Sequence, residues 1–318
     1  MQPVGGEDTH RTSALLAPTM LLTGHVDQVF CVRFNERGDA LASGSHDKKI
    51  FLWRTFGECE NYNVLGGHKN AVLQLQWSPD GEHLVSCSPD GTVRSWDALT
   101  GEQIGIMKDH DGIVNCCAMR RHGSPLTVSG SDDCCAKVWD MRAKRASQTL
   151  EADRYQITAI DISDDMVYTG GIDNVVKVWD LRKENEVVMT MEGHGDTITG
   201  MEVSPAGTHL LTNSMDNTMR SWDIRPFAPE NRCVRVFTGH QHGFEKNLLR
   251  CSWSADGKHV SGGSSDRMVH IWNVASGEIA YSLPGHDGSV NDVAFHPEEP
   301  IIVSASSDKT LYLGELVI

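Results

Sequence analysis

The stretch Gly67-His68-Lys69-Asn70-Ala71-Val72, followed by Leu84-Val85-Ser86 and then Pro89-Asp90-Gly91-Thr92-Val93-Arg94-Ser95-Trp96-Asp97, decides the fold. Its spacing is the signal: His68 stands four residues before Val72, and Trp96 six residues after Asp90. The same spacing recurs along the chain with a period of about 43 residues. Gly24, His25, Val29, Asp47 and Trp53 form the unit before it. After it come His110, Val114, Asp133 and Trp139, with Asp109 in the glycine position, and later Gly193, His194, Ile198, Asp216 and Trp222. Gly239, His240, Asp266 and Trp272 make a sixth unit, and Gly285, His286, Val290 and Asp308 a seventh. The fourth unit has Asp153 where the histidine belongs, four residues before Ile157, yet keeps Asp173 and Trp179. In the seventh, Gly314 occupies the tryptophan position.

Short β-branched runs between turn residues, such as Lys177-Val178-Trp179, predict four antiparallel strands in each unit. Seven such units make an all-β, seven-bladed β-propeller in one domain. A propeller must close its ring, because an unpaired edge strand invites aggregation. The last unit ends with only three strands, and Pro18 to Thr23 precede the first Gly-His with no blade of their own. That segment is expected to supply the outer strand of blade seven. The expected organisation is therefore a flexible N-terminal tail at 1–17, its first thirteen residues without apolar pattern, and a propeller at 18–318.

The repeat resembles the WD-repeat family over essentially the whole chain. That resemblance implies a buried hydrogen-bond chain in each blade, from the histidine through a Ser or Thr and the turn Asp to the Trp. The hydroxyl residue falls four positions before the Asp. Four blades carry all members: His25, Ser43, Asp47 and Trp53; His68, Ser86, Asp90 and Trp96; His110, Ser129, Asp133 and Trp139; His194, Thr212, Asp216 and Trp222. Blade four has Thr169 but no histidine, blade six has Gly262 in place of the hydroxyl, and blade seven has Ser304 but no tryptophan. Buried polar groups are tolerated only when paired, so the complete networks fix one geometry and the incomplete ones hold their blades less firmly.

Composition narrows the function classes. A formal net charge of −15 repels a phosphate backbone, so direct, sequence-specific nucleic-acid binding is not expected. Arg120 with Arg121, Arg142 to Arg145, and Arg182 with Lys183 form small basic clusters, read as solvated loop charges. No apolar run is long enough to span a bilayer, and Ala14 to Leu22, broken by Pro18, makes a poor signal peptide. Nine cysteines without a CxxC pair point to reduced core thiols, not a disulfide framework or zinc module. Phosphate-loop, dinucleotide, zincin and serine-hydrolase signatures are missing from the sequence, so neither an enzyme nor a cofactor or metal site is expected. His240 and His242 read as an exposed loop pair, and Trp77 and Trp253 as core packing.

Three segments depart from a plain repeat. Trp222 to Cys233, carrying Arg225, Pro226, Phe227 and Arg232, lengthens the link between Trp222 and Trp272 to 50 residues. His242 to Trp253 contains Phe244, Glu245 and Lys246, and Pro300 to Glu315 closes the chain. With Gly170-Gly171-Ile172-Asp173-Asn174 before Val178-Trp179-Asp180-Leu181-Arg182, they resemble the WD-repeat subunits of the U5 small nuclear ribonucleoprotein. The resemblance implies a nuclear, non-catalytic scaffold in pre-mRNA splicing. It implies a monomeric subunit docked on the large U5 scaffold protein, pre-mRNA-processing-splicing factor 8, beside other U5 proteins, touching RNA only indirectly or weakly and no membrane. Arg225, Phe227, Arg232, Phe244, Glu245 and Lys246 are the candidate partner contacts, since aromatic and Arg side chains are favoured interface anchors. A rival reading starts from Trp139-Asp140-Met141-Arg142, Trp179-Asp180-Leu181-Arg182 and Trp222-Asp223-Ile224-Arg225. This W-D-x-R pattern resembles the one by which some propellers dock on cullin ubiquitin ligases as substrate receptors.

Overall fold

The computed structural model describes residues 13–140, 145–151, 154–183 and 185–316. Among them are 28 strands and no helix, arranged as seven four-stranded antiparallel sheets, the seven-bladed β-propeller the repeat predicts. In six blades the strands run in sequence order from the axis outward. Blade two, for example, is Gln74–Trp77, His83–Ser88, Thr92–Asp97 and Gln103–Met107. Blade seven is built from Val290–Phe295, Ile301–Ser306 and Leu311–Glu315, and its outer strand is Thr19–Leu22 from the start of the chain. Thr19 lies opposite Gly314 and Leu22 opposite Leu311, so the two ends close the ring by antiparallel pairing.

Residues 13–17, read from the sequence as the end of a tail, lie against this closure. Leu15 is buried in the core shared by blades seven and one. The Ser13 N–H donates to Glu315 Oε1 at 2.9 Å and the Ala14 N–H to Glu299 Oε2 at 2.7 Å. The physical reason is the apolar Leu15, which the periodicity of the blades gave no cause to place. Residues 1–12 lie outside the described residues.

The hydrophobic cores sit between blades, not inside them. Leu52, Leu65 and Ile50 of blade one pack with Val72, Leu75, Leu84 and Trp96 of blade two. Trp96, Trp139, Trp179, Trp222 and Trp272 are all fully buried. Each indole removes about 200 Å² of apolar surface from water, worth at most about 5 kcal/mol. The ring is thereby held by interfaces that no blade could make alone.

Each turn from second to third strand places one residue in the left-handed region: Lys48, Gly91, Cys134, Asn174, Asn217, Arg267 and Lys309, with φ from 62° to 76°. The Asp just before it stabilises the turn by accepting from a backbone N–H two residues on, as Asp90 Oδ1 does from Thr92 at 3.0 Å. These turns and the links between blades share one face of the disc, the network face. The turns from first to second and from third to fourth strand share the other, the funnel face.

Candidate functional site

In blades one, two, three and five the four residues meet as one chain of hydrogen bonds. His25 Nδ1 lies 2.8 Å from Asp47 Oδ2, its Nε2 lies 2.8 Å from Ser43 Oγ, and Trp53 Nε1 donates to Ser43 Oγ at 2.9 Å. The histidine–aspartate distances are 3.1 Å for His68–Asp90, 2.7 Å for His110–Asp133 and 3.1 Å for His194–Asp216. Trp96, Trp139 and Trp222 each donate to Ser86, Ser129 and Thr212 at 2.8 Å. Burial raises the Asp90 and Asp216 carboxyls, but hydrogen bonds from the histidine, Thr92 or Thr218, and backbone N–H groups outweigh it. Both end well below the usual carboxylate range. Burial, only partly offset by Asp90, lowers the His68 pKa and keeps that ring neutral; Asp216 leaves His194 in the same state.

The three incomplete blades each solve the gap differently. In blade four Trp179 Nε1 donates to Thr169 Oγ1 at 2.9 Å, and Lys177 Nζ pairs with Asp173 at 3.0 Å; Asp153 lies outside the described residues. In blade seven His286 still reaches Asp308 and Ser304, both at 2.8 Å, and the Tyr312 ring meets the imidazole edge-on at 4.8 Å. Blade six is rewired. With Gly262 offering no hydroxyl, His240 Nε2 turns to Asn213 Oδ1 of blade five at 2.8 Å, Asp266 takes His270 Nε2 at 2.7 Å, and Trp272 Nε1 donates to the Thr238 carbonyl at 3.0 Å. The His240–His242 pair is therefore not an exposed loop pair. His240 is buried, His242 is half-buried, and burial pushes their pKa values down to about 3 and about 4.

The candidate partner contacts do not form one patch. Phe227 follows the third strand of blade five and lies on the funnel face, whereas Phe244 lies in the link to blade six, on the network face. Both rings are 99% exposed, packing back on neither blade. Arg225 forms a two-pronged pair with Asp223, Nε to Oδ1 at 3.0 Å and Nη2 to Oδ2 at 2.5 Å. Arg232 Nη1 donates to the carbonyls of Asp223 and Arg225 at 3.0 and 2.9 Å, so its role is to hold the loop that presents Phe227. Beside Phe244, Glu245 accepts from Asn247 at 3.2 Å and Lys246 adopts φ 52°. Arg182 grips Asp180 as Arg225 grips Asp223, with both bonds at 2.8 Å, so these two W-D-x-R arginines are engaged within their own motif. Arg142 lies outside the described residues.

Arg120 and Arg121 are not solvated loop charges. Arg120 is buried and pairs with Asp165 at 2.7 Å, and Arg121 pairs with Glu202 at 3.0 Å. Sequence reasoning also missed the charged axis. Arg250 of blade six, only 2% exposed, donates to the carbonyls of Asn115, Thr158 and Thr199 on blades three, four and five at 2.7, 3.1 and 3.0 Å. It ties four blades across the centre. On the funnel side a recess of about 390 Å³ opens, lined by Arg33, Asp161, Glu202, Trp77 and Trp253 among others. The legible signal was a charge at an axis-facing position of an inner strand, where the repeat pattern has no consensus.

A closed ring of seven blades with this histidine–hydroxyl–aspartate–tryptophan network defines a WD-repeat propeller. The WD domain, G-beta repeat family matches residues 16–54, 59–97, 101–140, 145–180, 185–223, 231–273 and 277–313. Over 308 residues the chain is 52% identical to the U5 small nuclear ribonucleoprotein 40 kDa protein of Homo sapiens, covering 96% of this chain and 86% of that one. It is 49% identical over 310 residues to the protein of that name from Dictyostelium discoideum, covering 97% and 87%. With the pre-mRNA-splicing factor cwf17 of Schizosaccharomyces pombe it shares 45% over 313 residues, covering 98% and 91%. The chain belongs to the WD-repeat family and, within it, to the family of the U5 small nuclear ribonucleoprotein 40 kDa proteins.

Proposed function

We propose that this chain is a non-catalytic interaction subunit of the U5 small nuclear ribonucleoprotein, acting in pre-mRNA splicing in the nucleus. The observation that carries this reading is 45–52% identity over nearly the full propeller to proteins named for that particle and for splicing. The working unit is the propeller at 18–318, and its main partner is pre-mRNA-processing-splicing factor 8, the large scaffold protein of U5. Phe227 and Phe244 are the first contacts to test, because a fully exposed phenylalanine on a loop held by hydrogen bonds is a ready anchor for a partner pocket. The acidic chain meets RNA through its partners, since −15 of net charge opposes a direct hold on phosphates.

Affinity purification of the tagged full chain from nuclear extract, with identification of co-purified proteins and RNA, tests the reading. Recovery of U5 RNA with its large scaffold protein is expected, weakened by Phe227→Ala or Phe244→Ala according to the face that docks. Recovery of neither refutes it.

A further inference from the structure

Blades five and six leave a groove between them on the funnel face, outward of the axial recess and beyond Trp253. Its volume is about 290 Å³, at the lower end of small-ligand sites, which run from about 300 Å³ upward. The repeat explains why the space is there. Leu52, Val138, Val178 and Ile271 each stand one residue before a blade tryptophan and are buried in the core between that blade and the next. In blade five that place belongs to Ser221, only 1% exposed, so the core between blades five and six lacks the branched side chain that fills the others. Blade two has a serine there as well, but the Ser95 hydroxyl is enclosed. Pro205, Val274 and the Trp253 ring wall the space that Ser221 leaves.

Two polar groups line this space with hydrogen-bonding capacity unused. Ser221 and Arg235 are direct cross-strand partners on the third and fourth strands of blade five, so their Cβ atoms lie about 5 Å apart on one face of the sheet. The Ser221 hydroxyl has no hydrogen-bond partner among the described residues. Arg235 Nη2 donates to the Ala275 carbonyl of blade six at 2.7 Å, and its stem passes where a Cβ on Gly277 would stand 3.0 Å from Arg235 Cδ. The guanidinium is thereby held between the two blades. Its Nη1 meets no acceptor, and among the described residues no carboxylate pairs with it. The other charges nearby are matched. Asp256 on the lining accepts from the Ser254 hydroxyl and the Lys258 N–H and pairs with Lys258 Nζ at 3.4 Å. Asp223 is gripped by Arg225, and Glu202, behind Trp253, is paired with Arg121. His209 is hydrogen-bonded to the Thr208 hydroxyl. One guanidinium is left over.

An anion with an apolar group attached answers both the charge and the walls. Phosphate has nothing to offer the walls and brings about two charges against one guanidinium. An acidic side chain within an extended segment has its sequence neighbours on the opposite face, and the next residue on its own face is about 7 Å along. The last residue of a chain carries a carboxylate and a side chain on one Cα. We propose that this groove is a carboxyl-terminus site. It takes the final apolar residue of a partner chain, with the α-carboxylate on Arg235 Nη1 and the Ser221 hydroxyl and the side chain against Trp253, Val274 and Pro205. The site does not rest on membership of the U5 particle and uses neither Phe227 nor Phe244.

The test is a titration of the ¹⁵N-labelled full chain with an acetylated Gly-Ser-Gly-Ser-Leu peptide ending in a free carboxylate, read at the indole N–H resonances. Three peptides serve as comparisons: the same one ending in an amide, one with glycine in place of the leucine, and an amidated Gly-Ser-Glu-Ser-Leu. A saturable shift at Trp253, with Trp77 across the axis unmoved, is expected for the first. The three comparison peptides should bind at least about tenfold more weakly. Ser221→Val gives blade five the kind of side chain that four other blades carry, so it should fold and weaken binding by at least a similar factor; Arg235→Gln should do the same. The contrast between acid and amide on the wild-type chain needs no variant, so it decides the matter even where a variant fails to fold. The proposal is overturned by the lack of a saturable shift at millimolar peptide, by equal binding of any comparison peptide, by a shift at Trp77 in place of Trp253, or by undiminished binding to folded Ser221→Val.

Discussion

Replacing Asp90 by alanine probes whether the network of blade two acts as a unit. Asp90 accepts from His68 Nδ1 at 3.1 Å, from the Lys69 N–H at 2.9 Å, and from the Thr92 N–H and hydroxyl at 3.0 and 2.5 Å. Lys69 is exposed and recovers its bond from water, whereas the His68 side chain is only 1% exposed and cannot. Orphaning one buried donor costs about 1–3 kcal/mol, and loss of the charge-assisted turn bonds brings the expected total to about 2–3 kcal/mol. For a chain of this size that lowers Tm by roughly 3–5 °C. The comparison is Asp97→Ala seven residues on, which removes bonds to the N–H groups of Leu99 and Thr100 and to the Thr100 hydroxyl, both residues exposed, and should cost under about 1 kcal/mol. Calorimetry at neutral pH measures both. Because the folded carboxyl lies below its unfolded value, its stabilisation is complete above about pH 4 and is lost as pH falls through the folded value. The gap between wild type and Asp90→Ala should therefore hold from pH 7 to about 4 and shrink below that. Equal Tm losses for Asp90→Ala and Asp97→Ala would refute the network as a unit.

Protonation of the blade-six histidines should make stability fall in mild acid. His240 and His242 are held near 3 and 4 by burial, below the unfolded value, so the unfolded state takes up protons first as pH drops below about 6.5. The loss approaches about 1.4 kcal/mol per pH unit for each ring, and urea midpoints for His242→Gln should show a shallower slope between pH 6.5 and 4.5. Arg267→Gly and Lys309→Gly should each raise stability by about 0.5–1 kcal/mol in chemical denaturation, since both residues sit at φ 71–76° where a side chain is strained. Arg250→Ala should cost about 3–5 kcal/mol by the same measurement, leaving three buried carbonyls without their shared donor, and Arg250→Lys should recover part of it.

Much of this architecture was legible because the repeat writes its polar network at fixed intervals. His68, Ser86, Asp90 and Trp96 are separated in sequence by the lengths of the strands between them, so their spacing reports the sheet before any coordinate does. The closing strand Thr19–Leu22 was legible for a related reason: a ring with three strands in its last blade demands a fourth. Where the pattern broke, sequence reasoning could register the gap but not its repair. Gly262 announced that blade six lacked a hydroxyl, but nothing along the chain revealed that Asn213, on another blade, would receive His240. The placement of Phe227 and Phe244 on opposite faces followed from strand order and was open to the same reasoning; their nearness in the chain hid it.

The least legible element is the axis, and the reason is physical. A repeat constrains residues that pack between successive blades, because every blade meets the same kind of neighbour. Residues facing the axis can reach blades other than their immediate neighbours, as Arg250 reaches three, so each position is answered by a partner the period does not set. Asp292 of blade seven faces Arg33 of blade one, Glu202 of blade five faces Arg121 of blade three, and Arg250 of blade six crosses to three blades. That freedom makes the axis the part of the disc where one member can differ from another without loosening the ring. The blade networks fix the fold, and the axial pairs are set by partners that the repeat does not specify.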